Sequence, residues 1–148
     1  MHGATHLVTG ITAGLGVAAL SGVRDPLDVA AYAGMGGLAG LVPDWLQVNI
    51  PGASKQLRGT FGHRGFSHWV WSAMVASYLT HAMIDPMALA VLAGWLSHIL
   101  LDALSNGAPA FWPFGILRIG HIKTGGRTDK FTGGAMLVIT ILLVMGIF

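Results

Sequence analysis

The chain has no cysteine and no glutamate, and only 9% of its 148 residues are charged. Without cysteine there can be no disulfide, no thiolate metal site and no cysteine nucleophile, so any metal must be held by nitrogen and oxygen donors. Without glutamate, six aspartates are the whole carboxylate supply. The scarcity of charge, set beside 53% hydrophobic residues and a mean hydropathy of +0.67, departs far from the roughly 25% charged content of a soluble domain. This is the composition of a membrane protein, one domain over residues 1–148. No alternating apolar and polar pattern supports a barrel, so helices are expected. No Lys or Arg precedes the first apolar run, so a cleaved leader is not expected there. Eight Lys and Arg residues give a sequence pI near 9.4. In so apolar a chain that charge speaks to topology and anionic lipid rather than to nucleic acid, and no nucleic-acid partner is expected.

What is present is a series of five apolar runs. Residues 5–21 hold Gly10 and Gly14, and residues 28–42 hold Gly36 and Gly40, two GxxxG pairs that allow close helix approach. Residues 65–84 are the best-sized run, residues 86–104 form the fourth, and residues 131–148 are the last, without charge. The expected architecture is all-α: a polytopic membrane bundle of about five apolar helices, four to five of them spanning. Residues 45–64 and 105–130 read as loops. The tryptophans at 45, 69, 71, 95 and 112 suit an aromatic belt at the membrane surface, or a floor under acyl chains.

Within the fourth run, His98 and Asp102 are four residues apart, which puts them on one helix face about 40° from each other. In hydrocarbon such a pair needs a partner, either a metal ion or another helix's polar group. Topology separates these readings. If all five runs cross, the N-terminus and both long loops share one side, and seven of the eight basic residues lie there, which makes that side cytoplasmic. His6, Asp44, His63, His68, His98, Asp102, His121 and Asp129 all fall at that same end. Stray polar residues would divide between the two faces, so their gathering points to a metal site. Six or seven His and Asp donors suit two or three ions. Zinc fits the imidazole and carboxylate mixture best, with manganese or iron as alternatives.

At this point the chain resembles the YdjM-like family of membrane-bound, metal-dependent hydrolases, some of them under LexA control. The resemblance is carried by His6 in Thr-His-Leu-Val-Thr-Gly, by Leu41-Val42-Pro43-Asp44, by FGHRGFSH at 61–68, by GWLSHILLD at 94–102 with Trp112-Pro113 after it, and by Lys123-Thr124-Gly125 leading to Asp129. The chain departs from the family pattern at Leu46, where a second carboxylate is usual, at Asp129, where Glu is usual, and at Trp69, where a small polar residue is usual. The family is in turn distantly similar to zinc-dependent phospholipases C and single-strand-specific zinc nucleases, which share a His-x-x-x-Asp helix motif. The resemblance implies phosphoester hydrolysis in a bacterial or archaeal inner membrane, the protein being multi-pass with a cytoplasmic N-terminus.

These readings give a candidate assignment. His6, Asp44, His63, His68, His98 and Asp102 are expected metal ligands, with Asp129 a further one. Asp44 also orients or deprotonates water. Arg64 forks onto phosphate oxygens in a catalytic and substrate-binding role, and Lys123 and Arg127 attract the headgroup. Each basic side chain has a plainer reading as a topology determinant or a snorkelling anchor. Membrane lipids are the expected partners, with a lipid or other phosphoester as substrate. Two other classes compete: a metal transporter, which would need polar residues continuing across the bilayer midplane, and a non-catalytic scaffold that uses metal to hold its helices.

Overall fold

The computed structural model describes residues 1–46, 54, 60, 62 and 64–147, and its regular elements are helical. In chain order these are α1 (Gly3–Leu20), α2 (Pro26–Ala39), the single turn α3 (Val42–Trp45), α4 (Val70–Met83), α5 (Ala88–Ser105) and α6 (Arg127–Ile147). Short 3₁₀ turns, Phe66–His68 and Asp85–Met87, lead into α4 and α5. Their ends follow local chemistry. Asp25 caps α2 by accepting from the Leu27 and Asp28 amides, and Pro26 fills a first-turn position whose N–H would have no helical partner. Arg24 donates to the carbonyls of Ile147 at 2.7 Å and Gly146 at 3.3 Å, satisfying the open C-terminal end of α6.

α1, the Asp85–Ser105 unit and α6 are long and apolar enough to cross a membrane, with 18, 21 and 21 residues. α2 and α4 have 14 residues each, about 21 Å against a hydrocarbon core of about 30 Å. The run at 65–84 therefore yields a shorter helix than its composition promises. Its first residues turn through the 3₁₀ segment instead, and Trp69, in extended conformation, starts α4 afresh. The last helix is longer than its uncharged run, because Arg127, Asp129 and Lys130 join its first turn.

α1 packs against α2, α5 and α6, and α5 packs also against α2 and α4. The tightest point is Gly36. A side chain there would run into the Gly10 carbonyl and the Gly14 backbone of α1, and a side chain on Gly94 of α5 would strike the Gly36 carbonyl from the other side. Three backbones thus meet where only hydrogen fits between them, as the two GxxxG pairs foretold. Below this junction Ala18, Tyr32, Met87 and Ala90 are buried together. Nearer the other end, Ala73, Trp95, Ile99, Ala108 and Ala110 form a second core. Trp95 is only 6% exposed, so it belongs to this core and not to a surface belt.

Candidate metal centre

The glycine junction sets the spacing of the helix ends, and those ends carry the polar residues. His6 stands near the start of α1, Asp44 on α3 just beyond α2, His68 in the 3₁₀ turn before α4, and His98 and Asp102 in the last turns of α5. All five converge. His6, His68 and His98 are each at most 1% exposed and Asp102 is 2% exposed, while Asp44 is partly open.

The His98 Nδ1–H donates to the Gly40 carbonyl at 2.8 Å, since a carbonyl can only accept. In the neutral ring this leaves the Nε2 lone pair facing the cluster. His98 Nε2 lies 3.1 Å from His68 Nε2 and 3.7 Å from Asp44 Oδ1. His68 Nε2 lies 3.6 Å from Asp44 Oδ1 and 3.4 Å from Asp102 Oδ2, which is 4.0 Å from His98 Nε2. A tetrahedral zinc site with bonds of about 2.0–2.1 Å has donor-to-donor edges of about 3.3 Å. These four donors are therefore within a small relaxation of that geometry. Asp102 Oδ1 turns the other way, 3.5 Å from His6 Nε2 and 3.1 Å from the Met1 amino group. The His6 ring stacks on that of His98 with centroids 3.9 Å apart.

Both His6 ring nitrogens are buried without a hydrogen bond. A buried polar atom left without a hydrogen bond costs about 1–3 kcal/mol. A divalent cation would take up an imidazole lone pair at this point, beside the Asp102 carboxylate 3.5 Å away. The residues fit such an ion in number, donor type and spacing, and two overlapping triads, His6–His98–Asp102 and Asp44–His68–His98, are alternative seats for it, because His98 has only Nε2 to give. Outside the spans, Asp44 and His68 are tuned to each other. Burial opposes ionisation of Asp44, but the neighbouring His68, with His98 and His6 beyond it, outweighs burial and holds the carboxyl below its ordinary range. Burial likewise opposes charge on His68, and the Asp102 and Asp44 carboxylates override it, raising the imidazole.

The other expected residues sit elsewhere. Asp129 is not among the grouped donors: it accepts from the Thr5 hydroxyl at 2.8 Å, the His2 amide at 3.0 Å and the Gly125 amide at 2.8 Å. Three donors engage the carboxylate and tie the start of α6 to the start of α1. Arg64, expected on substrate phosphate, directs Nε to Asp102 Oδ2 at 3.2 Å and donates from Nη1 to the Gly107 carbonyl at 2.8 Å. It does so from a left-handed backbone, φ 62°, unusual for a residue with a side chain. Lys123 and Arg127 are exposed and lie outside the cluster. His63 lies outside the described residues. Sequence reasoning missed the supporting groups, namely the Gly40 and Gly107 carbonyls and the Met1 amine. A backbone atom or terminus has no side-chain signature to find.

No curated protein and no solved structure matches the chain. One family does, along its entire length. With apolar helices of membrane-crossing size and His and Asp groups spaced to hold a metal ion, the chain belongs to the YdjM inner membrane protein family, matched over residues 1–148.

Proposed function

We propose that the protein is a metal-dependent phosphoester hydrolase acting on a membrane lipid or its headgroup at the cytoplasmic face, with zinc the ion best suited to the donors. One observation carries this reading: five His and Asp donors from four separate segments face one another, including a buried imidazole, His6, whose ring nitrogens make no hydrogen bond. A bound divalent ion supplies Lewis acidity for the phosphoryl oxygens and an acidified water. The chain's own residues do the rest. His68, His98, Asp44 and Asp102 would hold the ion, with His6 beside them, 3.5 Å from Asp102 Oδ1. Arg64 orients Asp102. Asp44, with its side chain 31% exposed, is the group on the open side and would accept a proton from the attacking water. Water oxygen bonds to phosphorus as the bond to the leaving alcohol breaks, and the alcohol oxygen takes up a proton.

That open side favours an enzyme over a scaffold, because a purely structural ion is enclosed by protein ligands on all sides. Transport finds less support. Among the described residues the metal-binding groups gather at one end, and the mid-helix hydroxyls of Thr9, Thr12 and Thr140 are bonded within the protein. The test is elemental analysis of the purified protein in detergent, with phosphate or headgroup release measured from a lipid panel with and without chelator. The reading expects bound metal and chelator-sensitive release. Metal without turnover on any lipid leaves the scaffold, and a metal-free protein ends both.

A further inference from the structure

A groove of about 320 Å³ runs between α4 and α5, lined by Phe66, Trp71, Ser72, Val75, Leu79 and Trp95 among others. Its hydrogen-bonding groups are already engaged. The Ser72 hydroxyl donates to the Phe66 carbonyl at 2.6 Å, the Trp95 indole N–H to the Ser67 carbonyl at 2.8 Å, and the Trp71 indole N–H to the Trp112 carbonyl at 3.4 Å. What the groove offers a ligand is hydrocarbon contact. From Trp71 to Leu79 it follows α4 for about 12 Å along the helix axis. Trp71, Val75 and Leu79 are 49%, 59% and 55% exposed, on a face that lipid covers in a membrane protein.

The groove does not end blindly in the bilayer. Phe66 shares its 3₁₀ turn with His68, and Trp95 stands on α5 one turn before His98, so the wall of the groove and the wall of the metal cluster are the same two segments. Its rim there is aromatic. Trp112 stacks on Trp69 with centroids 4.4 Å apart, and the adjoining loop exposes Phe111, Trp112, Phe114 and Ile116 at 48%, 50%, 85% and 69%, although it belongs to no span. Exposed aromatics outside the spans are at home at the boundary between headgroups and chains.

We propose that this groove seats one acyl chain of a membrane phospholipid, with the loop around Trp112 lying in the headgroup boundary, so that the lipid's phosphate is delivered to the His and Asp cluster. The proposal rests on the hydrolase reading for the role of the phosphate, and it names the substrate class as a lipid held by its tail. A soluble phosphoester would have no use for the groove.

The experiment uses the full chain in vesicles of phosphatidylglycerol carrying a diazirine on one acyl chain, with adducts mapped after irradiation and bound metal measured on the same sample. Adducts concentrated between Phe66 and Leu79 are expected. Val75→Trp and Leu79→Trp, both at exposed positions, fill the groove without entering the core and should reduce that labelling about tenfold while leaving metal content and melting temperature unchanged. Labelling spread evenly over the groove and the exposed face of α6, or equal labelling in the filled variants, overturns the proposal. Groove labelling in a protein that holds no metal upholds the lipid seat and removes the hydrolase, so the two failures are told apart.

Discussion

α5 and α6 are built from similar material, apolar segments of 18 and 21 residues, yet they live in different surroundings. α5 buries eleven residues, among them His98 and Asp102, between α1, α2 and α4. α6 buries two, Asp129 and Ile147, and packs on α1. Hydrophobicity alone cannot separate a helix that faces protein from one that faces lipid, because hydrocarbon is as apolar as leucine. What distinguishes them is small residues and polar partners. α5 brings Gly94 against Gly36, while Gly134 and Gly146 of α6 have open space around them. α6 is held by a few polar ties: Asp129 at one end, Arg24 at the other, and the Thr12 and Thr140 hydroxyls 2.7 Å apart between them.

This contrast can be broken in steps. The largest effect is expected from Gly36→Val, whose methyl groups would push α1 away from α2. The loss should be about 3 kcal/mol or more, enough to abolish a monodisperse fold in size-exclusion chromatography, whereas Gly134→Val leaves the elution profile unchanged. Next comes His98→Ala, which removes a donor shared by both triads. Metal affinity in a chelator titration should fall by about 100-fold or more, with the helical circular dichroism signal retained. Asp129→Asn separates the two regions most sharply. It weakens three hydrogen bonds and should cost about 1–3 kcal/mol in a denaturant melt, yet metal content should match the unaltered protein. Loss of metal in that variant would place Asp129 in the ligand set. The smallest effect is expected for Thr140→Val, about 0.6 kcal/mol in the same melt, typical of an interhelical hydroxyl contact.

Much of the site was legible in the sequence. His6, Asp44, His68, His98 and Asp102 stand out because a titratable group at the end of an apolar run needs a reason, and the topology map put all of them at one end. The glycine junction was legible for a similar reason, since the GxxxG spacing states how near a neighbour can come. The surroundings of Asp129 were hidden, because a carboxylate facing three N–H and O–H donors has the same letter as one facing a cation. The contact of Arg64 with Asp102 was hidden too, because its left-handed backbone depends on a turn that no periodicity describes. The length of α4 was hidden as well. Gly65 to Trp69 are apolar enough to count toward a span, but the chain uses them to carry His68 inward.

The meeting of three backbones at Gly36 has a mechanical consequence. Loosely greased helices answer a thicker or thinner bilayer by sliding past one another, one at a time. Here α1, α2 and α5 are geared together at a single carbonyl, so a change in bilayer thickness is met by tilting the trio as one body. The end that carries His6, His68, His98 and Asp102 is thereby insulated from its solvent, keeping its spacing in membranes of unequal depth.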